Sequence, residues 1–171
     1  MRKLNLKELL LPTFALCLIC FVTAGAMAMV RHYTSEPIAK NQQAEEAAAR
    51  EMLFPGAAFE EYENYFVAYR DGALAGYLME TQAQGYGGLI KVAVGLDPEG
   101  HVRKLQILSA ENETPGLGQK ITEEKYLGQF AGKQSLEEID GIAGATLSNR
   151  GVVDAVNQAV EIYKSIGGAR R

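Results

Sequence analysis

Apolar and polar positions along this chain fall into three patterns, each of which predicts a different kind of element. Residues 9–30, LLLPTFALCLICFVTAGAMAMV, contain no charged side chain, and about 20 apolar residues in helix cross the hydrocarbon core of a bilayer. A membrane-spanning helix is expected there. Farther on, apolar residues alternate with period two. NYFVAYR (64–70) and ALAGYLMETQ (73–82) read as strands joined by Asp71-Gly72, a two-residue hairpin signal. In LIKVAVGLD, Ile90, Val92, Val94 and Leu96 alternate with Lys91, Ala93, Gly95 and Asp97, which predicts one buried face and one mixed face. DPEG (97–100) has the residues of a type I turn, and HVRKLQILSA returns as a strand. Finally, Val152, Val156, Ala159, Val160, Tyr163 and Ile166 recur at three and four residues, one buried face of a helix over 148–166, with Ser148 as its N-cap and Gly167-Gly168 closing it.

The segments between these patterns complete the layout. YTSEP (33–37) is expected to end the span, with Ser35 capping a new alanine-rich helix that opens at Glu36-Pro37, reaches about Leu53 and stops at FPG. That helix should present an acidic, solvated side and an alanine seam toward the sheet. ENETPGLGQKI (111–121) has no period and reads as a shaped loop, and TEEKYLGQFAG as a short amphipathic helix carrying Tyr126, Leu127 and Phe130. The fold class is α+β, with helices packed on an antiparallel sheet. The expected layout is an N-terminal stretch 1–8, a span 9–30, a linker 31–35, one compact domain 36–168 and a tail 169–171.

Composition narrows the chemistry. A formal charge of −4 with no basic stripe argues against a nucleic-acid partner. Both cysteines, Cys17 and Cys20, lie in the span, so the compact domain has no thiol for catalysis, iron–sulfur ligation or disulfides. His32 and His101 are the only histidines and lie far apart, so no histidine metal site is expected. Arg2, Lys3 and Lys7 precede the span against Glu8, whereas Arg31, Lys40 and Arg50 follow it mixed with Glu36, Glu45 and Glu46. This asymmetry predicts an amino terminus in the cytoplasm and a domain on the outer face of the cytoplasmic membrane. A cleaved signal peptide is the alternative, since AGAMAM offers small residues, but the apolar run exceeds the 7–15 residues of a signal-peptide core.

One feature does not fit an ordinary helix. Arg150 puts a cation near the positive end of the last helix, and Gly151 costs roughly 1 kcal/mol against alanine. Both lie just after DGIAGATLS (140–148). That segment, with ETPGLGQK (113–120) and GYGGLIKVAVGLD (85–97) before it, resembles the FMN-binding domain shared by the G subunit of Rnf electron-transport complexes and the C subunit of sodium-pumping NADH:quinone reductases. The short chain with a single span is more similar to the Rnf protein. The resemblance covers about residues 36–166 and departs at Ala143, where the family has Ser or Thr.

The resemblance implies that Thr146 carries FMN through a phosphoester, installed by a separate flavin transferase. It implies an electron relay within an ion-translocating ferredoxin or NADH oxidoreductase, beside other membrane, iron–sulfur and flavin subunits. It also implies that the 113–118 loop lies against the flavin ring, where the Thr114 hydroxyl or a backbone N–H tunes it and Leu117 excludes water, with Glu113 in the same loop. Taken alone, ETPGLG is equally a rigid turn. A phosphate on Thr146 would meet the free N–H groups of the helix start, among Gly144, Ala145, Leu147 and Ser148. Arg150 would then neutralise its charge, and Gly144 and Gly151 would let the backbone approach it. No catalytic acid–base pair is expected, because flavin chemistry belongs to the cofactor. Two alternatives stay open: an anchored interaction subunit with Thr146 unmodified, and a flavin carrier of another extracytoplasmic redox chain.

Overall fold

The computed structural model describes residues 6–134, 136 and 139–167. The expected basic flank at Arg2 and Lys3, the Gly168 cap and the 169–171 tail lie outside the described residues. The chain divides into two units, Met1–Gln43 and Ala44–Arg171.

The first helix, α1, runs unbroken over Leu6–Leu53, through the expected linker and the expected new start at Ser35. The hydroxyls explain the difference. Thr34 and Ser35 donate back into the helix, to the carbonyls of Val30 at 2.7 Å and His32 at 3.1 Å, instead of capping a second one. Pro37 removes one backbone N–H, but the Ala, Lys, Gln and Glu that follow favour helix and carry it on. Within α1, Pro12–Ser35 has a mean hydropathy of 2.2 and no buried residues, and it is long and apolar enough to cross a membrane.

In the second unit, five antiparallel strands form a meander in the order β1-β2-β3-β4-β5. They are β1 (Ala58–Glu61), β2 (Phe66–Arg70), β3 (Ala73–Gln84), β4 (Leu89–Leu96) and β5 (Val102–Ser109). At the β2–β3 turn Asp71 and Gly72 both take positive φ, 52° and 76°, as a type I′ hairpin requires. At the next turn but one, the Gly100 N–H bonds the Asp97 carbonyl at 3.0 Å and Gly100 takes a φ of 88°. The 111–121 loop ends in a 3-10 turn over Gly118–Thr122, and the amphipathic segment is the short helix α2 (Glu124–Leu127) with one further 3-10 turn.

The last helix, α3 (Thr146–Ser165), lies on one face of the sheet. Its Val152, Ala155, Val156, Ala159 and Val160 pack on Met79, Ile90, Val92 and Val94, all at most 3% exposed. Each valine so buried contributes roughly 1.5–3 kcal/mol. The Thr81 hydroxyl donates to the Ala155 carbonyl at 2.8 Å, which satisfies a polar side chain of β3 that faces this layer. The expected mixed face of β4 is in fact covered: Ala93 is 1% exposed and packs with Ala49, Leu53, Phe54, Phe66, Ala68 and Leu78. Phe54 is fully buried, and its ring lies 3.1 Å from where a Cβ on Gly95 would stand. The sheet is therefore buried on both sides, which is why the small residues Ala93 and Gly95 sit where a half-exposed strand would carry polar ones.

Candidate functional site

The site is built at the start of α3. The periodicity predicts an N-cap at Ser148, but the cap lies three residues earlier: Ala145 is the N-cap and Thr146 the first helical residue. The cap has no side-chain hydrogen bond, and the first helical bond runs from the Asn149 N–H to the Ala145 carbonyl at 2.9 Å. The N–H groups of Thr146, Leu147 and Ser148 thus have no acceptor within the helix. Ala145 reaches this position through a turn in which its N–H bonds the Ile142 carbonyl at 3.0 Å and Gly144 takes a φ of 81°.

Ser148 is spared from capping because its hydroxyl has another partner. It is 2% exposed and donates to a carboxylate oxygen of Glu113, itself 2% exposed. The other Glu113 oxygen accepts the Gly87 N–H at 3.0 Å. One buried carboxylate therefore ties together the 110–118 loop, the β3–β4 hairpin and the first turn of α3. The Thr114 carbonyl accepts the N–H groups of Leu117 at 3.3 Å and Gln119 at 3.2 Å, which fixes the loop's shape.

These three segments enclose an open groove of about 390 Å³ lined by Tyr86, Thr114, Gly118, Gly144, Ala145, Thr146, Leu147 and Ser148. Thr146 and Leu147 are exposed on its wall. Leu117 stands beside it, with its methyl carbons 3.7 and 3.8 Å from the Cβ position of Gly144. A larger groove of about 480 Å³ between the end of α1 and β5 shares none of these residues.

Arg150 and Gly151 stand elsewhere. The Arg150 side chain is 76% exposed and lies 3.7 Å from Asp154 one turn on, outside the groove wall. Gly151 is buried against β3, where a Cβ would stand 2.9 Å from the Gln84 carbonyl oxygen and 3.1 Å from Ile90. Close helix–strand packing accounts for this glycine. Tyr86 is the groove residue that periodicity and motif spacing do not single out; the available signal is one aromatic between Gly85 and Gly87 at a hairpin tip. Behind the groove, Tyr126 is 4% exposed and donates to Asn149 Oδ1 at 2.7 Å. Burial raises the pKa of its phenol well above the ordinary tyrosine value.

Residues 85–161, which include the hairpin, the loop and most of α3, match the FMN-binding domain family. Over that stretch the chain is similar to the family. The chain is 27% identical to the G subunit of the proton-translocating ferredoxin:NAD(+) oxidoreductase complex of Clostridium ljungdahlii, over 91% of each chain. It is 28% identical to the G subunit of the ion-translocating oxidoreductase complex of Vibrio vulnificus, over 88% of this chain and 87% of that one. It shares its fold with the C subunit of the Na(+)-translocating NADH-quinone reductase of Parabacteroides distasonis: TM-score 0.53 and 23% identity over 63% of each chain.

The groove fits the phosphate end of FMN in its donor set: three free N–H groups at a helix N-terminus, a hydroxyl on the same turn and no carboxylate among the described residues of the wall. Its volume lies within the range of small-molecule sites.

Proposed function

We propose that this chain is the electron-carrying flavoprotein subunit of a membrane-bound, ion-translocating ferredoxin:NAD-type oxidoreductase, with FMN joined to Thr146 by a phosphoester. The observation that carries the proposal is the position of Thr146. Its exposed hydroxyl sits on the first turn of an uncapped helix, so an esterified phosphate retaining one negative charge would lie where N–H donors and the helix dipole favour an anion. The resemblance of the whole chain to the G subunits of such complexes supports the wider reading.

FMN, when bound, supplies reversible one- and two-electron transfer, and the protein supplies binding, orientation and electrostatics. Thr114 and the 113–118 backbone border the ring side of the groove, and Leu117 limits water there. Phosphate recognition falls to the backbone of residues 146–148 rather than to Arg150, which pairs with Asp154. Glu113 is held by Ser148 and Gly87, so it serves the scaffold rather than activating Thr146. A separate flavin transferase must therefore attach the cofactor. A covalent tether keeps the flavin in place while its ring stays open to redox partners, which are membrane, iron–sulfur and flavin subunits of the same complex. The amino terminus lies in the cytoplasm and the domain on the outer face.

The test is mass analysis of the full chain from a host with a flavin transferase, beside Thr146→Ala. FMN mass on the peptide containing Thr146, absent from the variant while folding is retained, is the expected result. An unmodified Thr146 in a competent host would overturn covalent attachment.

A further inference from the structure

Tyr86 is 67% exposed although it occupies the tip of a tightly fixed hairpin. Residues 85–88 join β3 to β4, and the Gly85 N–H bonds the Gly88 carbonyl at 2.7 Å, which leaves Tyr86 and Gly87 at the tip. Gly87 is held from both sides. Its N–H is taken by Glu113, and a Cβ on it would stand 1.6 Å from the Asn112 carbonyl oxygen, so the loop lies directly on the neighbouring backbone. At Gly85 a Cβ would come within 2.3 Å of the Glu113 carboxylate. The glycines thus fit the loop to its support and leave one side chain free to point outward. That side chain is the only aromatic among the described residues of the groove wall, across which Thr114, Thr146 and Leu147 also lie.

A lone exposed tyrosine is unremarkable on a protein surface. This one is an aromatic face on a rigid mount, beside a helix start suited to a phosphate. Offset stacking of two flat π-systems stabilises them beyond the area they bury. We propose that Tyr86 is the aromatic wall of the flavin site, stacking on the isoalloxazine ring of the FMN whose phosphate is held at Thr146. This inference rests on FMN being carried by Thr146. Pre-organisation follows from the hairpin: the ring meets a surface already in place, so little side-chain freedom remains to be lost on loading. Tyr86 acts by binding and by shielding one face of the ring from water.

The test uses the full chain in detergent, loaded with FMN, as wild type, Tyr86→Phe and Tyr86→Ala. Flavin mass on Thr146 is measured first, then flavin emission per mole of attached flavin and its quenching by iodide. A phenol stacked on a photoexcited flavin passes it an electron that returns without light, so wild-type emission should be weak. In Y86A emission per flavin should rise several-fold and iodide access should increase. In Y86F, whose ring stacks but resists oxidation, emission should rise while iodide access stays low. Emission and iodide access equal in wild type and Y86A, with flavin present on Thr146 in both, would overturn the stacking and leave the attachment intact. Absence of flavin from wild-type Thr146 would overturn both.

Discussion

Glu113 gives one carboxylate oxygen to the Gly87 N–H and the other to the Ser148 hydroxyl, at a site where both Glu113 and Ser148 are 2% exposed. Truncating it leaves two donors without an acceptor, and each buried group so orphaned costs about 1–3 kcal/mol. Glu113→Ala should therefore lower the urea midpoint markedly, whereas Glu113→Gln, which keeps one acceptor oxygen, should cost less. A Glu113→Ala midpoint within error of wild type would show that the three segments are held by packing alone. Tyr126 adds a pH-dependent contribution. Its buried phenol has a raised pKa in the folded state, so above the ordinary value of about 10 the unfolded chain loses a proton that the folded one keeps. This contribution should be constant below that pH and fall as pH rises through it, and Tyr126→Phe should flatten the decline. Thr146 could be singled out from the sequence because its segment is contiguous. The role of Glu113 could not, because its Ser148 partner lies 35 residues away and leaves no periodic trace.

The start of α3 shows how tertiary contacts move an element from where local preference puts it. Serine is a better N-cap than alanine, yet Ser148 lies inside the helix because Glu113 takes its hydroxyl, and the cap falls to Ala145. The same helix inverts a second local rule. In an exposed helix interior Gly→Ala would stabilise by about 1 kcal/mol. At Gly151 the added Cβ would lie 2.9 Å from the Gln84 carbonyl oxygen, backbone that cannot swing aside, so α3 must lift from β3. Gly151→Ala should destabilise by about 1–3 kcal/mol, the usual cost of overpacking, measured by thermal unfolding. A stabilised variant would show that the helix shifts freely. Alternation and turn chemistry made β2 to β5 legible, since each strand carries period-two apolar residues between turn signals. The short β1, AFEE, has only Phe59 even half-buried and leaves no such pattern. The second core layer was legible only in part: the alanine seam marks Ala49, whereas Phe54 lies in FPG, a stretch that reads only as a helix stop.

At the scale of the whole chain, the question is which side of the membrane holds the flavin. Pro12–Ser35, 24 residues with no buried side chains, has a helical length of about 36 Å at 1.5 Å per residue, enough for a core of about 30 Å. Arg2, Lys3 and Lys7 crowd the amino side of the span against one Glu8, whereas Arg31, Lys40 and Arg50 are spread over the carboxyl side among as many glutamates, so the amino end should be retained in the cytoplasm. The domain itself contains no cysteine, so it can withstand an oxidising compartment without mispairing, and its surface can be probed one thiol at a time. With Cys17 and Cys20 replaced by serine, a cysteine introduced at the exposed Glu111 should react with a membrane-impermeant maleimide in intact cells. One introduced at Asn5 should react only after the cells are opened. The reverse pattern would put the flavin on the cytoplasmic side, where soluble ferredoxin and NAD could reach it directly and a tether would be of little use. Labelling at Glu111 alone would instead fit the proposed electron carrier that exchanges only with its own complex, for which a covalent tether would prevent loss of the cofactor to a compartment that does not replace it.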